Sequence, residues 1–340
     1  MTYRVGLIGL EQHVERVFGA VDNDPEIVLA AVANAGEQAA ALAGKYSADM
    51  HDDYHALLAR DDIDVVASFQ LPVHQGETVI AALEAGFPVL AEKPMVTSQQ
   101  ELDRVIAILQ QNSSLHMGQL FSRRGNPVYR AVRDVVQSGQ IGEVALAYAL
   151  IAATERRGVR PEWFFDRRLS AGPVLDLLIH DIDIVRWITG REYQSVIGTE
   201  ANIGRPDDAH YHNVGQVLFR MDGGVSAVME HHRLVPPSLG RMDNRLKILG
   251  TEGQAEVTHD GRVWLYRWDD SQELTELPEQ QDIFANFVRT ACAGQKPIVS
   301  TQDAVQSMQA TLCATEAGFT GTQQQVPPVP VLPGRTTRPV

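Results

Sequence analysis

Two hydrophobic patterns follow each other in this chain and limit the folds that it can adopt. From residue 3 to residue 122, short apolar runs alternate with amphipathic stretches, which is the pattern of a parallel sheet covered by helices. After residue 122, period-two alternation extends over many segments and predicts an open, largely antiparallel sheet with one covered face. The sequence therefore predicts an α/β domain followed by an α+β domain.

The length of the chain supports this division. A chain of 340 residues exceeds the roughly 250 to 300 residues at which a single hydrophobic core stops growing. We place the first domain at residues 1–122 and the second at residues 123–325. Residues 326–340 are rich in proline, and we expect them to form an extended tail.

Charge and hydropathy exclude several classes of partner. The formal net charge is -14, from 29 basic and 43 acidic residues, and such a surface repels nucleic acids and anionic lipids. No segment reaches the ~18 consecutive apolar residues of a membrane helix, and the first residues lack the pattern of a secretory signal. We therefore expect a cytoplasmic protein that acts on a small molecule, with no nucleic-acid partner and no membrane partner.

The triplet Glu92-Lys93-Pro94 follows an apolar run and supplies the first candidate for catalysis. Ligands of an open parallel sheet bind outside the carboxyl ends of its strands, where Gly9, Gln70 and Glu92 are predicted to lie. A lysine ammonium beside apolar strand ends can donate to a substrate oxygen and stabilise the charge that develops there. We predict that Lys93 is catalytic, and a surface lysine in a turn is the alternative.

Asp176 and His180 form the second candidate pair. A helix-entry signal with Pro173 precedes them, and their spacing of four residues places both on one face of the predicted helix. Histidine is the usual side chain that takes a proton near neutral pH. We predict that His180 exchanges the proton of a substrate hydroxyl while Asp176 orients it or binds the substrate. A plain contact on the helix surface is the alternative.

Several motifs occur in a fixed order along the chain. They are Glu92-Lys93-Pro94, Arg123-Arg124-x-Asn126-Pro127, Gly139-x-Ile141-Gly142-Glu143, Gly172-Pro173-x-Leu175-Asp176-x-x-x-His180-x-x-Asp183 and Gly250-Thr251-Glu252-Gly253. In their order and spacing, these motifs resemble the glucose-fructose oxidoreductase, inositol dehydrogenase and rhizopine catabolism family, written Gfo/Idh/MocA. The resemblance extends from about residue 3 to about residue 320.

This resemblance implies an architecture and an activity. The implied architecture is a dinucleotide-binding Rossmann-type parallel sheet followed by a substrate-binding and oligomerisation domain on an open sheet. The implied activity is hydride transfer between NAD or NADP and a hydroxyl carbon of a sugar, a polyol or a related small molecule. Matched residue by residue, it lends catalytic roles to Lys93, Asp176 and His180. A homodimer or homotetramer is expected, because the exposed sheet face must be covered.

The chain departs from the family in the cofactor loops. The family reads Gly-x-Gly-x-x-Gly after the first strand, whereas this chain has Glu11 and Val14 at the second and third glycine positions. Asn34 stands where an aspartate often binds the ribose, and no arginine follows that could hold a 2′-phosphate. We still predict a cofactor site, and its candidate residues are Gly9, Leu10, Glu11, Gln12, His13, Asn34, Leu71, Pro72, His74, Glu92 and Lys93.

These altered loops leave three functions open. The favoured hypothesis is an NAD(P)-dependent dehydrogenase whose dinucleotide binding is weak because the glycine fingerprint is degraded. The second is a sensor or scaffold that binds a sugar-like ligand and has lost dinucleotide binding. The third is an enzyme that holds NAD permanently and recycles it during sugar hydrolysis or epimerisation.

The second domain supplies further binding candidates. The predicted substrate-binding residues are Lys93, Trp163, Arg167, Asp176 and His180. The loop before Asp176 also contains five arginines that either recognise a carboxylate or phosphate or are solvated loop charge: Arg156, Arg157, Arg160, Arg167 and Arg168. The histidines at 210, 212, 231 and 232 lack an accompanying acidic or thiol ligand, so we predict no metal site and expect these histidines to line the substrate site instead.

Overall fold

A computed structural model describes residues 2–332 of the chain, which divide into two compact units. The first unit takes in the described residues up to Ser122, the segment Asp282–Met308 and the residues from Val329. The second unit comprises Arg123–Gln281 and Gln309–Pro328. Of the predicted extended tail, residues 326–332 form no helix or strand, and residues 333–340 lie outside the described residues.

The first unit contains a sheet of six parallel strands in the order β3-β2-β1-β4-β5-β6. Its strands are β1 (Tyr3–Ile8), β2 (Ile27–Ala33), β3 (Asp49–His51), β4 (Val65–Ser68), β5 (Val89–Ala91) and β6 (Met117–Gln119). The sequence pattern predicts strands at residues 3–8, 27–33, 65–69, 89–91 and 115–118, which correspond to β1, β2, β4, β5 and β6. It misses β3, a short edge strand that pairs with β2 alone. The parallel order places the carboxyl ends of β1, β4 and β5 side by side.

Helices connect and cover these strands. They are α1 (Glu15–Asn23), α2 (Ala39–Tyr46), α3 (Tyr54–Leu58), α4 (Pro72–Glu84) and α5 (Gln99–Gln111), with α9 (Ile283–Cys292) added from later in the chain. Helix α5 begins with a capping box, in which Ser98 and Glu101 satisfy each other's free backbone amides. Apolar residues on the inner faces of the helices, such as Val79 and Leu102, are fully buried.

The second unit contains a sheet of nine strands in the order β14-β13-β12-β11-β7-β10-β9-β8-β15. Its strands are β7 (Val144–Ala153), β8 (Tyr193–Ala201), β9 (Val214–Met221), β10 (Ser226–His232), β11 (Met242–Gly250), β12 (Gly253–Val257), β13 (Val263–Arg267), β14 (Ser271–Glu273) and β15 (Gln324–Gln325). Strands β7 and β10 pair in parallel, and the other pairs in the described part of this sheet are antiparallel. This mostly antiparallel sheet confirms the predicted fold class.

One face of this sheet is covered and the other is open. Residues directly opposite each other on paired strands share a face. One such row is buried throughout: Val196, Phe219, Ala227, Ala147, Ile248, Ala255 and Leu265. The adjacent row of the opposite face begins with Ile197 and Leu218, whose exposed fractions are 48% and 45%.

Helices lie on the covered face. They are α6 (Pro127–Gln137), α7 (Arg167–Ser170), α8 (Ile179–Thr189) and the later part of α10 (Thr301–Thr320). Val132, Ile182 and Ala314 from these helices belong to the same hydrophobic core as the covered row of the sheet. No helix among residues 2–332 has both the length and the hydropathy to cross a bilayer.

Candidate functional site

In the first unit, the loop after β1 crosses the end of β4 at close range. Gly9 has φ +79°, and a Cβ atom at this position would lie 2.5 Å from the carbonyl oxygen of Phe69. The Glu11 amide donates to the same oxygen at 2.9 Å, and the Gly9 amide donates to the carbonyl of Ala33 at 3.0 Å. Glycine is therefore required at position 9 by the backbone geometry of the sheet.

The start of α1 has no side-chain cap. Its N-cap residue, Val14, makes no side-chain hydrogen bond to the helix, and the amides of Arg16 and Val17 donate to the carbonyls of His13 and Val14 at 3.0 and 2.9 Å. What this helix start offers an anionic group is therefore the positive end of the helix dipole. The carboxylates of Glu11 and Glu15 lie in the sequence around it and oppose a phosphate. The sequence pattern predicts this helix at residues 13–22, whereas α1 begins at Glu15 because Gln12 has φ +52° and residues 12–14 form a turn.

Other predicted cofactor residues lie at neighbouring strand ends. Asn34 follows β2, is exposed and has φ +57°. Leu71 precedes α4, Pro72 occupies its first position, and the His74 amide donates to the Leu71 carbonyl at 2.8 Å. A helix start without a side-chain cap and a polar residue after β2 fit a dinucleotide. The phosphate loop itself is reshaped by Glu11 and Val14.

His13 and Glu92 connect the loop after β1 to the end of β5. The Nδ1 atom of His13 lies 2.9 Å from Oε1 of Glu92, whose side chain is only 1% exposed. This hydrogen bond and the negative charge of Glu92 raise the pKa of His13 above its ordinary value. The second carboxylate oxygen of Glu92 is buried and has no hydrogen-bond partner among the described residues. The pair therefore favours an imidazolium at the cofactor edge of the sheet.

Lys93 is 2% exposed and lies two residues after the end of β5, and this burial excludes the alternative of a surface lysine in a turn. The Lys93–Pro94 peptide bond is cis. The Glu92 amide donates to the carbonyl of Ser68 at 2.9 Å, so the triplet is fixed to the end of the neighbouring strand β4. The backbone thus places Lys93 at the edge where ligands of parallel sheets bind.

Sequence reasoning missed Gln75, a buried amide on the inner face of α4. Its oxygen accepts from the Gln70 amide at 2.7 Å, and its nitrogen donates to the carbonyls of Ser68 at 2.6 Å and Glu92 at 3.3 Å. Gln75 thereby joins the ends of β4 and β5. The sequence spacing could have indicated this burial, because Gln75 precedes the buried residues Val79 and Ala82 by four and seven positions and so lies on the same face of the helix.

In the second unit, Asp176 and His180 lie on one continuous helical segment. Residues Val174–Leu178 form a π-helical turn that leads directly into α8. Such turns are frequent at functional sites. Asp176 is 8% exposed and accepts a hydrogen bond from Nη2 of Arg233 at 3.1 Å. His180 is partly exposed in the first turn of α8.

Asp176 borders a small concave pocket within the second unit. The pocket is lined by Phe164, Arg167, Ser170, Gly172, Pro173, Asp176, Tyr211, His212, His231 and Arg233. His231 and Arg233 come from the end of β10, where alternation continues the buried face of Ala227 and Met229. Arg233 and Tyr211 were not predicted as site residues, whereas His231 is one of the histidines that we expect to line the substrate site. For Arg233, the sequence did contain a signal: a charged residue stands at a position that the alternation of β10 assigns to the buried face of the sheet.

His231 is a neutral imidazole in this pocket. Its Nδ1 atom lies 2.6 Å from the carbonyl oxygen of Ile151, which requires the hydrogen to be on Nδ1. Burial, reinforced by the charge of Arg233, lowers the pKa of His231 to about 3. Its other ring nitrogen is therefore a hydrogen-bond acceptor at neutral pH.

The predicted substrate residues Trp163 and Arg167 have different environments. Arg167 lines the pocket and pairs with Oε1 of Glu200 at 2.9 Å, an oxygen that also lies 2.9 Å from Nδ1 of His212. Trp163 packs against the aromatic cluster of Phe164, Phe165 and Tyr211 and does not line the pocket. Across residues 2–332, no group of three or more histidine, cysteine or acidic residues has a metal-binding arrangement.

Two family models match the chain. One is described as an oxidoreductase family with an NAD-binding Rossmann fold and matches residues 3–119, and the other is the GFO/IDH/MocA C-terminal domain and matches residues 129–256. The chain belongs to the Gfo/Idh/MocA family. The predicted family and the predicted class of oxidoreductase with an NAD(P)-binding Rossmann-type domain are therefore confirmed.

Individual relatives agree with this family. The inositol 2-dehydrogenase of Ralstonia nicotianae is 29% identical over 68% of this chain and 67% of its own length. The scyllo-inositol 2-dehydrogenase (NAD(+)) of Bacillus subtilis is 26% identical over 81% of each chain. Among solved structures, levoglucosan dehydrogenase in complex with NADH superposes with a TM-score of 0.84 at 19% identity, covering 96% of this chain and 100% of that one. That structure shows the same fold.

Proposed function

We propose that this protein is a dehydrogenase that transfers hydride between NAD(P) and a hydroxyl carbon of a polyol or sugar. The observation that carries the proposal is Lys93, a buried lysine at the carboxyl end of β5 inside the matched NAD-binding domain. The names of relatives support the substrate class, because they include inositol and scyllo-inositol 2-dehydrogenases.

Three residues are proposed for the chemistry. Lys93 donates a hydrogen bond to the substrate oxygen and stabilises the negative charge that develops there. His180 takes the hydroxyl proton during oxidation and returns it during reduction. Asp176, which accepts a hydrogen bond from Arg233, binds a substrate hydroxyl. The nicotinamide, when bound, supplies or accepts the hydride.

Cofactor binding is proposed to be weak and to show little preference between NAD and NADP. Glu11 replaces the glycine beside the pyrophosphate position, and its carboxylate opposes the phosphate charge. Asn34 offers neither a carboxylate that rejects a 2′-phosphate nor a guanidinium that binds one. The candidate residues that would hold the dinucleotide are those at the ends of β1, β2 and β4 together with Glu92 and Lys93.

The direct test is turnover of a panel of inositols, sugars and polyols with NAD or NADP, followed by the absorbance of reduced nicotinamide. Lys93→Met and His180→Ala are expected to lower kcat by about 10² to 10⁴ with a smaller effect on KM. The matched control is Lys45→Met, since Lys45 is an exposed lysine paired with Asp22. Full turnover in either active-site variant would refute the assigned role.

The same experiment separates the alternatives. Binding of a sugar-like ligand without any binding of NADH or NADPH at millimolar concentration, measured by calorimetry, would support the sensor or scaffold. Nucleotide that remains bound through purification would support the enzyme that recycles NAD.

We also propose that the open face of the nine-stranded sheet is covered by a second copy of the chain. Ile197 and Leu218 lie directly opposite each other on β8 and β9, and both are about half exposed. Leu146 on β7 is 48% exposed. An apolar surface spread over several strands is typical of a subunit interface.

A further inference from the structure

The pocket beside Asp176 is a local excess of positive charge in a chain whose net charge is -14. Two of its cations are paired, Arg233 with Asp176 and Arg167 with Glu200. A third cation, Arg160, forms no ion pair with a described residue, and its Nε atom is buried without a hydrogen-bond partner there. Asp176 is near enough to act on the Arg160 charge, but it already pairs with Arg233, so the two guanidinium groups share this carboxylate.

Arg160 is held next to the pocket by the ring of Phe164. The Arg160 guanidinium carbon lies 4.0 Å from the centre of this ring, and that of Arg233 lies 4.6 Å from the same centre. Phe164 itself lines the pocket. Burial and the charge of Arg233 lower the pKa of Arg160 to about 10, so both groups remain cations at neutral pH. Two cations against one ring repel each other unless an anion lies near them.

A hydrogen-bond donor in the same pocket also lacks a partner. The hydroxyl of Tyr211 is buried and makes no hydrogen bond to a described residue. Burial raises the pKa of Tyr211 to about 12, so the hydroxyl keeps its proton at neutral pH. A buried hydroxyl without a partner costs free energy, and a ligand oxygen at this position would remove that cost.

We infer that the substrate carries a carboxylate, which binds in this pocket to Arg233 and the Tyr211 hydroxyl and is further attracted by Arg160. This inference rests on the proposed function in one respect: the ligand of the pocket is taken to be the substrate of the proposed dehydrogenase. The substrate class is thereby narrowed from polyols and sugars in general to sugar acids.

The acids beside the pocket favour a carboxylate over a phosphate. Asp176 and Glu200, which pair with Arg233 and Arg167, repel a bound anion. A carboxylate brings one negative charge next to them, whereas a phosphate monoester brings about 1.5 to 2 at neutral pH.

The test compares acids with their neutral counterparts in calorimetric titrations of the full-length protein. The pairs are glucuronate with glucose, galacturonate with galactose and gluconate with sorbitol, and glucose 6-phosphate is the phosphate probe. At least one acid is expected to bind about tenfold or more tightly than its neutral counterpart. Equal affinities within every pair, or preference for the phosphate over the carboxylates, would overturn the inference.

Variants assign the effect to the pocket. Tyr211→Phe removes a hydroxyl that makes no hydrogen bond within the described protein, so its stability is expected to be unchanged while its affinity for the acid falls about tenfold. Arg160→Gln is expected to weaken acid binding with less than about twofold change for the neutral sugar, and Arg160→Lys to retain most of the affinity. Arg168→Gln is the control, because Arg168 is an exposed arginine paired with Asp166. Equal loss for acid and neutral ligands in both pocket variants would show a merely structural role.

The outcomes distinguish this inference from the proposed function. Turnover of neutral polyols with no preference for acids would leave a dehydrogenase and overturn the carboxylate assignment. Selective, Tyr211-dependent binding of acids with no nicotinamide reduction would support the carboxylate pocket and overturn the dehydrogenase.

Discussion

The helix segment that carries Asp176 and His180 is anchored by a fully buried ion pair, and this pair gives the sharpest test of the structure. Nε and Nη2 of Arg124 donate to the two carboxylate oxygens of Asp183 at 2.9 and 2.7 Å. The two side chains are 0% and 1% exposed. Arg123 and Asp181 form a second pair next to it. Replacing Arg124 with methionine would leave the Asp183 carboxylate buried without its main counter-charge.

The expected cost follows from this geometry. Removing one partner of a buried, hydrogen-bonded ion pair typically costs about 3 to 5 kcal/mol, because the remaining charge is desolvated and uncompensated. Both hydrogen bonds in this pair are charge-assisted and the carboxylate has essentially no access to water, so we expect a loss of about 4 kcal/mol in the free energy of unfolding. Replacing both residues, as in Arg124→Met with Asp183→Leu, is expected to recover most of this loss, since no charge is then stranded.

The assay is urea unfolding followed by tryptophan fluorescence. All four tryptophans, Trp163, Trp187, Trp264 and Trp268, lie in the second unit, and the Trp187 ring lies 5.5 Å from the Arg124 guanidinium. The signal therefore reports the unit that contains the ion pair. Arg191→Met, which removes a more exposed arginine of the same unit, should change the free energy of unfolding by less than about 0.5 kcal/mol. A loss below about 1.5 kcal/mol for Arg124→Met, or a double variant no more stable than the single one, would refute the reasoning.

Three further predictions concern the cofactor edge and the open sheet face. The pKa of His13 is raised by its hydrogen bond to Glu92, so the stabilisation from its imidazolium is fully present below about pH 6.5 and is lost as the pH rises through the raised pKa. The stability difference between wild type and His13→Gln in chemical denaturation should therefore shrink with rising pH, and a constant difference would contradict the pairing. Glu11→Gly should tighten NADH binding about tenfold in calorimetry by removing a carboxylate beside the pyrophosphate, and an unchanged affinity would contradict this placement. Leu218→Lys should convert the oligomer to a monomer in light scattering by placing a charge beside Ile197, and an oligomer of unchanged mass would exclude this face as the interface.

The sequence determined most of the elements because their hydrophobic patterns are long or strongly apolar. Strands β1, β2 and β5 begin and end at the predicted residues, since each is rich in apolar residues and bounded by polar residues or turns. The short strand β3 was missed because three residues, of which only Met50 is apolar, are too few to show a periodic signal. The π-helical turn at Asp176 was likewise not foreseen, because five residues are too few to show a changed period.

The polar residues of the site were harder to predict than the fold. Lys93 and Asp176 stand in recognisable motifs, whereas Gln75 and Arg233 occupy single positions of an otherwise apolar face. A single polar residue in such a pattern is expected to face solvent, because a buried polar group needs partners that the sequence does not identify. For Gln75 these partners are backbone atoms of β4 and β5, and for Arg233 the partner is Asp176 on a distant helical segment. Contacts with residues distant in the sequence therefore determine that Gln75 and Arg233 are buried.

The glycines of the fingerprint serve two purposes: one is required by the backbone of the sheet, and the others serve the bound dinucleotide and the packing of the helix. Gly9 is required by the sheet itself, because any Cβ atom there would lie 2.5 Å from the Phe69 carbonyl oxygen whether or not a dinucleotide binds. Its presence therefore gives no information about the cofactor. The second and third glycine positions serve the pyrophosphate and the approach of the helix, and these are the positions occupied by Glu11 and Val14. Evidence for a working cofactor site must therefore come from Lys93 and from the pair that buried Glu92 forms with the exposed His13, which the sheet does not require for its own geometry.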